Sequence, residues 1–253
     1  MQFESPINTC IIVPCYNEEK RLPSERFRDF IQNNSNISFL FVNDGSTDTT
    51  LQMLESLCTG NDDQLHLLDL QPNTGKAEAV RQGLLNAIDK IKPSFVGFWD
   101  ADLATPLSAI PSFIETLNER EARQMVFGAR IRLLGREIRR KSSRHYLGRF
   151  FATAVSTMLK LPVYDTQCGA KLFRVTPVLS QILVDPFLSR WIFDVEIIAR
   201  LICAVDGDRS KVEQAVFEFP LMQWDDVAGS KLHPLDFFKA FGEIITIWRQ
   251  YFW

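Results

Sequence analysis

The sequence has little of what marks a disulfide-linked, zinc-binding or membrane-spanning protein. Its 253 residues include three histidines without metal-ligand spacing and five cysteines without a C-x-x-C pair. An odd number of scattered cysteines argues against a disulfide framework and a zinc site, and predicts buried thiols in a reducing cytosol. No run approaches the roughly 18 apolar residues that a bilayer span needs, and the start of the chain lacks a signal-peptide pattern. We therefore expect a cytoplasmic protein whose membrane contact, if any, is peripheral.

Charge is spread unevenly along the chain. The net charge of −3 argues against a nucleic-acid partner. Within residues 130–149, however, eight basic residues accompany a single acid, Glu137. A cationic segment in an acidic protein predicts a local anionic partner.

Short apolar segments alternate with polar turns and amphipathic segments. Strand, loop and helix in alternation favour an α/β fold with a mostly parallel central sheet and helices on both faces. Strands are predicted within TCIIVPCYN, ISFLFVNDGSTD, LHLLDL, SFVGFW and QAVFEFPL, and helices within TTLQMLESL, KAEAVRQGLLNAIDKI, PLSAIPSFIETLNER and RRKSSRHYLGRFFATAVSTMLKL. The segment RWIFDVEIIARLIC reads as a buried helix or a strand-to-helix element, and VYDTQCGAKLFR as a loop and hairpin.

The chain shows no internal repeat or long linker, so we expect one main domain over residues 1–231. Residues 232–253 have an amphipathic pattern with a wide apolar face and predict a C-terminal helix. This helix either packs on the domain or lies in a membrane interface, with Lys239 and Arg249 at the level of the lipid headgroups.

Polar clusters follow three of the predicted strands. In a parallel sheet, ligands collect at the carboxyl ends of the strands, so these clusters predict a site at one edge of the sheet. Their members are Tyr16, Asn17, Glu18, Glu19, Asn43, Asp44, Asp100 and Asp102.

Asp100 and Asp102 form a D-x-D pair after the apolar strand segment SFVGFW. In an extended segment, residues two apart point to the same side. Two carboxylates so placed repel each other unless they share a cation, and a hard ion such as Mg²⁺ or Mn²⁺ suits their oxygen ligands. The alternative is a solvated loop with two capping aspartates.

Several motifs together resemble a known family. The series IIVPCYNEE, FVNDGSTDTT, NTGKAEAVRQG and DADLATP is similar to the inverting nucleotide-sugar glycosyltransferases of family 2, which have the GT-A fold. Later, DTQCGAKLF and RWIFDVE resemble the branch that transfers glucose from UDP-glucose to dolichyl phosphate. The resemblance runs from about Cys10 to Lys231.

The resemblance implies a role for each matching residue. Asp44 would hydrogen-bond the uracil ring, Asp100 and Asp102 would hold the ribose and the Mg²⁺ or Mn²⁺ ion, and Arg130 matches a strand-end arginine of the family. Asp102, Arg130 and Asp194 are the candidate catalytic residues. The remaining residues of the nucleotide site would be Pro14, Tyr16, Asn17, Glu18, Asn73, Gly75 and Lys76.

A phosphate monoester acceptor would need no general base, because its second pKa of about 6 leaves it largely dianionic at neutral pH. It would need cations, and Arg130 together with Arg139, Arg140 or Arg144 would hold the lipid phosphate. A solvated helix face or a patch for anionic lipids is the alternative interpretation of this basic segment.

Asp194 and Glu196 are again two residues apart. Either one is the base of a hydroxyl-directed enzyme, or both are structural and pair with Arg190 or Lys171. The resemblance also places Gln167 and Lys171 near donor or acceptor, and a lid segment at Trp224, Gly229, Ser230 and Lys231.

The sequence thus predicts an enzyme that moves a hexose, glucose by preference, from a UDP-sugar to a polyprenyl or dolichyl phosphate at the cytoplasmic face of a membrane. The alternatives are a hydroxyl acceptor, mannosyl transfer from GDP-mannose, and a nucleotide-sugar-binding pseudo-enzyme subunit. The mannosyl branch is disfavoured by Ala104 and Thr105, which stand where that branch has Gln and His.

Overall fold

A computed structural model describes residues 8–139, 142–227 and 234–253. Its strands are β1 (Thr9–Cys15), β2 (Ile37–Asp44), β3 (Leu65–Leu70), β4 (Phe95–Trp99), β5 (Met125–Ala129), β6 (Glu137–Arg139), β7 (Ala170–Arg174), β8 (Val216–Pro220) and β9 (Gln223–Asp225). Its α-helices are α1 (Ser24–Gln32), α2 (Thr50–Cys58), α3 (Lys76–Asn86), α4 (Ile110–Asn118), α5 (Ser142–Leu159), α6 (Pro177–Ile182), α7 (Phe193–Ala204), α8 (Arg209–Ala215) and α9 (Pro234–Phe252).

The chain divides into two compact units. Unit 1 runs to Leu103 and resumes over Ala170–Leu183, and unit 2 takes Ala104–Gly169 and Val184–Trp253. Unit 1 therefore contains β1 to β4 and β7, and unit 2 contains the other strands.

In unit 1 the strand order is β3, β2, β1, β4, β7. The first four are parallel to one another, and β7 runs antiparallel to β4. All residues of β2 and β4 are buried, as expected for parallel strands covered on both faces.

Helices cover both faces of this sheet. On one face, the ring of Phe27 in α1 lies 5.1 Å from that of Phe39 and 5.0 Å from that of Phe41, both in β2. On the other face, α3 approaches so closely that a Cβ on Gly83 would lie 2.6 Å from Ile12 Cγ2 and 2.9 Å from Val42 Cγ2. The alternation along β2 thus assigns Phe41 and Val42 to opposite faces.

In unit 2, β5 pairs in parallel with β8, and β6 with β9. Helix α7 is buried from Phe193 to Ile202 and contacts α5, α8 and α9. Within the described ranges, no helix has the length and apolar character to cross a bilayer.

Two expectations from the sequence are corrected. VYDTQCGAKLFR forms no hairpin: its end is the single strand β7, in which Phe173 pairs with Val96 of β4. The thiols are not all buried either, since Cys203 is exposed while the other four are enclosed. Burial raises the pKa of Cys10 to about 12, so that thiol stays protonated.

Candidate active site

In unit 1 the loop from Asn73 to Lys76 is held by Asp44, at the carboxyl end of β2. The Asp44 carboxylate accepts hydrogen bonds from Asn73 Nδ2 at 2.9 Å, from Thr74 N at 2.8 Å and Oγ1 at 2.9 Å, and from Gly75 N at 2.8 Å. Asp44 is only 2% exposed. The function of Asp44 visible in the structure is therefore to shape this loop, and its predicted contact with uracil stays a prediction.

Gly45 allows the same loop to approach β2. Its φ is +65°, and a Cβ there would lie 2.5 Å from Asn73 N. Because backbone atoms cannot move aside like a flexible side chain, only glycine fits at this position.

The loop after β1 is fastened to the turn after β2. Asn17 Oδ1 accepts a hydrogen bond from Thr47 N at 2.8 Å, and Asn17 N donates to Ser46 Oγ at 3.1 Å. Glu18 N donates to Thr50 Oγ1 at 2.8 Å. The polar clusters predicted from the ends of β1 and β2 are thus in contact.

Asp100 and Asp102 follow β4, but not in an extended segment. The strand ends at Trp99, a turn covers 101 and 102, and Leu103 has a φ of +52°. The prediction that Asp100 and Asp102 lie in an extended segment was therefore wrong. The apolar sequence before them did not show that the strand ends at Trp99.

Each of the two carboxylates is paired with a cation. Lys76 Nζ lies 2.5 Å from Asp100 Oδ1, and Arg21 Nη2 lies 2.5 Å from Asp102 Oδ2. These pairs offset the repulsion expected between two neighbouring aspartates. They also connect the D-x-D turn to the loop after Gly75 and to the segment after β1.

The two aspartates suit a hard divalent cation. They offer carboxylate oxygens, and their side chains are 35% and 17% exposed, so a ligand can reach them. Within the described ranges, no three His, Cys, Asp or Glu side chains are grouped as a metal site. Asp100 and Asp102 would thus hold an ion whose remaining ligands come from elsewhere, such as a diphosphate.

In unit 2, Arg130 forms a bidentate pair with Asp165. Its Nε and Nη2 each lie 2.6 Å from a carboxylate oxygen, and its backbone N donates to Asp165 at 3.0 Å. The guanidinium also lies over the ring of Trp224, 5.2 Å from its centre. Because its charge is matched by Asp165, the visible function of Arg130 is to fix the loop that contains DTQCG.

Asp194 lies in the first turn of α7 and is 6% exposed. Gln167 Nε2 is 3.5 Å from Asp194 Oδ2, so the loop after Asp165 reaches α7. Asp194 and Gln167 were predicted separately as site residues, and the structure brings them together within unit 2.

Glu196 belongs to a buried structural network. It accepts hydrogen bonds from Arg200 Nη2 at 2.7 Å, Tyr251 Oη at 2.8 Å and Leu188 N at 2.9 Å. Its cation is therefore Arg200, not the predicted Arg190 or Lys171. Burial and the carboxylate of Glu196 raise the pKa of Tyr251 to about 12, so Tyr251 stays a donor. Glu196 is fully buried and does not suit the function of a general base.

The other predicted site residues differ in how far their side chains are exposed to solvent. Tyr16 is exposed and Pro14 is half-buried within β1, whereas Lys171 is fully buried with its Nζ 5.4 Å from the centre of the Phe98 ring. Arg139 is 75% exposed and lies 3.7 Å from Asp225. The side chains of Arg140 and Arg144 and the lid residues Gly229, Ser230 and Lys231 lie outside the described residues.

Comparison with known proteins identifies the family. The sequence profile of glycosyl transferase family 2 matches residues 10–179. A dolichyl-phosphate beta-glucosyltransferase of Saccharomyces cerevisiae is 30% identical over 99% of this chain and 77% of its own length. One of Drosophila melanogaster is 31% identical over 98% of this chain and 77% of its own.

The fold also matches solved structures. Glucosyl-3-phosphoglycerate synthase of Mycobacterium tuberculosis, in complex with Mn²⁺, UDP and phosphoglyceric acid, has a TM-score of 0.67 at 16% identity, over 95% of this chain and 77% of that one. The same enzyme with Mg²⁺ and UDP gives 0.66 at 17% identity, over 95% and 78%. These likenesses show the fold, and the predicted GT-A architecture is confirmed. The family profile matches most of the chain, and relatives at least 30% identical match nearly all of it, so this chain belongs to glycosyl transferase family 2.

Proposed function

We propose that this protein transfers glucose from UDP-glucose to a polyprenyl phosphate such as dolichyl phosphate, with inversion at the anomeric carbon. The observation that carries the proposal is the D-x-D turn after β4, whose Asp100 is paired with Lys76 of the Asn73–Lys76 loop, in a chain related over nearly its whole length to dolichyl-phosphate beta-glucosyltransferases. The names of these relatives favour glucose over mannose.

The donor would bind in unit 1. The nucleotide would lie against the loops after β1 and β2 and the loop that Asp44 shapes, beside the exposed ring of Tyr16. Pro14, Asn17 and Glu18 would line the base and ribose pocket, with Asn73, Gly75 and Lys76 near the phosphates.

Asp100 and Asp102 would hold Mg²⁺ or Mn²⁺, which supplies charge neutralisation for the departing UDP. Lys76 and Arg21 orient the two carboxylates through their ion pairs. Lys76 would also add a positive charge near the diphosphate, where negative charge develops.

The acceptor phosphate would act as the nucleophile. One of its oxygens attacks the anomeric carbon, and the new carbon–oxygen bond forms as the bond from that carbon to the UDP oxygen breaks. UDP leaves with the electron pair. Because the attacking phosphate is already dianionic, no base has to remove a proton.

Two residues that match the family, Arg130 and Asp194, would serve the acceptor. Arg130, paired with Asp165, would fix the loop that contains DTQCG, and Asp194 would orient the substrate from the first turn of α7. A hydroxyl acceptor is the second candidate, favoured by one observation: Asp194 is a buried carboxylate beside Gln167, a setting in which a general base is possible.

Contact with a membrane is part of the proposal, because the acceptor is a lipid. Helix α9 leaves Ile245 and Trp248 exposed, as is Trp253 just after it, and Arg249 lies over the ring of Trp253, 5.9 Å from its centre. Aromatic and basic residues on one helix are typical of a membrane interface. We propose the cytoplasmic face as the side of this contact.

The test is transfer of radiolabelled glucose from UDP-glucose to polyprenyl phosphate in detergent with Mg²⁺ or Mn²⁺. We expect labelled lipid that disappears with a chelator and in Asp102→Asn. An Asp194→Asn variant that retains transfer to the phosphate supports a reaction without a base.

Three results would contradict the proposal. Transfer to hydroxyl acceptors that is abolished by Asp194→Asn, with UDP binding intact, would establish the second candidate. Transfer from GDP-mannose in preference to UDP-glucose would reassign the donor. Metal-dependent UDP binding with no transfer to any acceptor would identify a pseudo-enzyme.

A further inference from the structure

Arg149 in α5 has a guanidinium with an unusual environment. Its Cζ lies 3.8 Å from the centre of the Tyr164 ring, so the group stacks on that ring. Its Nη1 is shielded from solvent and has no hydrogen-bond acceptor within the part of the chain that the structure describes. Arginine stays protonated in proteins, so this half-buried side chain carries a positive charge and an unused donor.

A charged N–H donor that is buried without an acceptor lowers the stability of the folded protein unless an anion binds to it. Folded proteins leave few buried donors without an acceptor, and a charged donor costs the most to bury unpaired. Stacking on an aromatic ring offsets part of this cost but provides no acceptor for the N–H. The arrangement therefore indicates a ligand that is both anionic and rich in acceptors.

Other arginines of the basic segment are differently placed. Arg130 is matched by Asp165, Arg136 Nη1 donates to the Pro220 carbonyl at 2.9 Å, and Arg139 lies on the surface beside Asp225. Arg149 was counted only as part of the basic segment in the sequence, because nothing in the sequence distinguishes a shielded arginine from a solvated one.

The platform under Arg149 is rigid. The backbone N–H of Tyr164 donates to both carboxylate oxygens of Glu218 at 2.9 Å, and Asp165, the next residue, holds Arg130. The residue after Arg149 is Phe150, which is 67% exposed and whose ring lies 5.6 Å from that of Phe241 in α9. A phosphate ester with an apolar chain matches this arrangement: the phosphate suits the fixed guanidinium of Arg149, and the apolar chain suits the exposed aromatic ring of Phe150.

We propose that Arg149 binds the phosphate monoester of the acceptor, with Tyr164 as the platform that orients its guanidinium. The assignment of this anion to the acceptor rests on the proposed function. The presence of a phosphate site at Arg149 rests on the contacts described above.

The first experiment compares Arg149→Gln with Arg120→Gln, the same change at an exposed arginine of the same unit. Steady-state kinetics would use UDP-glucose and a short-chain polyprenyl phosphate. We expect Arg149→Gln to raise the KM for the acceptor about 10- to 100-fold, the usual effect of losing a hydrogen bond to a charged group, and to leave the KM for UDP-glucose unchanged. An unchanged acceptor KM, or an equal rise in both constants, would overturn the proposal.

The second experiment does not need turnover. Thermal unfolding would be followed with inorganic phosphate, the polyprenyl phosphate and the matching isoprenoid alcohol. We expect both phosphates to raise the Tm of the wild type, the alcohol to have no effect, and the rise to be lost in Arg149→Gln. If the polyprenyl phosphate binds more tightly than inorganic phosphate, the site takes a lipid ligand. If the two bind equally, the site takes a free phosphate ester. Stabilisation that persists in Arg149→Gln would overturn the site even if transfer to lipid is confirmed.

A third measurement separates binding from structure. Without ligand, Arg149→Gln removes a charged group whose shielded Nη1 lacks an acceptor, so the free energy of unfolding in urea should not fall. Arg200→Gln, which breaks a pair with buried Glu196, should lower it. An equal loss in both variants would assign Arg149 a structural function. Arg149→Lys, which keeps the charge but not the planar stacking, serves if the Gln variant does not fold, and should show an intermediate acceptor KM.

Discussion

At the scale of single residues, Asp44 shows how one carboxylate can organise a ligand-binding loop. Four donors from Asn73, Thr74 and Gly75 converge on its two oxygens. Asn73 Nδ2 also donates to the backbone carbonyl of Asp44 at 2.7 Å, so the loop is fastened to the end of β2 through this one residue. Its conformation should therefore depend on the charge and the acceptor capacity of Asp44.

We expect Asp44→Asn to lower the free energy of unfolding by about 1–3 kcal/mol, because an amide NH₂ would then face backbone N–H donors. UDP binding should weaken about 10-fold, because the loop would no longer be held in place. Urea denaturation and calorimetric titration with UDP measure the two effects. Asp29→Asn, on the exposed face of α1, is the control, and an Asp44→Asn protein that matches it in both assays would refute this view of the loop.

The sequence identified the acids of the candidate site but not their partners. Asp100, Asp102 and Asp194 were recognisable because they follow apolar segments or lie within family motifs. Arg21 and Asp165 were not assigned a function, since they are 81 and 35 residues from Asp102 and Arg130, and such pairs form only when the sheet is assembled. A basic residue soon after the first polar cluster was the one available signal for Arg21.

At the scale of elements, two helical glycines have opposite environments. Gly83 in α3 has no room for a Cβ above Ile12 and Val42, whereas Gly242 in α9 has nothing within 4 Å of that position. Close packing of α3 against the sheet thus depends on the missing side chain.

Gly83→Ala should destabilise the protein by about 1–3 kcal/mol through overpacking, despite the higher helix propensity of alanine. Gly242→Ala should stabilise it by up to about 1 kcal/mol, because only the propensity changes. Denaturant unfolding of the two variants measures both changes in the free energy of unfolding. Similar values for the two variants would mean that α3 can shift away from the sheet at little cost.

Helix α9 is fastened to the start of α7 through Ser189. Ser189 Oγ donates to Glu243 Oε2 at 2.5 Å and accepts a hydrogen bond from Ile192 N at 2.7 Å, just before the turn that contains Asp194. Tyr251 of α9 makes a second connection, to Glu196 of α7. The C-terminal helix thereby supports the helix of a candidate catalytic residue.

A double-mutant cycle of Ser189→Ala and Glu243→Ala should give a coupling of about 1–2 kcal/mol in unfolding free energy. The Ser189→Ala variant should also lower kcat more than it changes the KM for UDP-glucose, because Asp194 would lose its support. Lys211→Ala, at an exposed position of α8, provides the comparison. Additive single effects would show that the two side chains act independently.

The longer elements were predictable because their patterns are strong. β1 to β4, α2 to α5 and α7 have continuous apolar runs or helical spacing. The three-residue strands β6 and β9 are too short to produce a pattern. Strand β7 was assigned to a hairpin because the sequence of a strand does not show which other strand it pairs with. The turn at 101 and 102 was missed for a similar reason, since its left-handed residue is Leu103 and not a glycine.

At the scale of the whole molecule, the apolar residues exposed on α9 predict binding to lipid surfaces. Trp248 and Trp253 stack with their ring centres 5.7 Å apart and are open to solvent. Replacing both by alanine should reduce cosedimentation with anionic phospholipid vesicles at least about 10-fold, since each tryptophan adds a large apolar area. Transfer to a short-chain acceptor in detergent should change little. Equal vesicle binding by wild type and variant would exclude α9 as the membrane contact.

The chain crosses between its two units three times, after Leu103, Gly169 and Leu183. The fifth strand of the unit 1 sheet, β7, is therefore made on the ribosome only after 66 residues of unit 2 have been synthesised. Until then, β4 has an open edge of unpaired backbone groups next to the apolar residues of SFVGFW, a combination that promotes aggregation. Nascent chains halted between residues 104 and 169 should thus need chaperones more than chains that extend past Arg174, and no single cut would release unit 1 with a complete sheet.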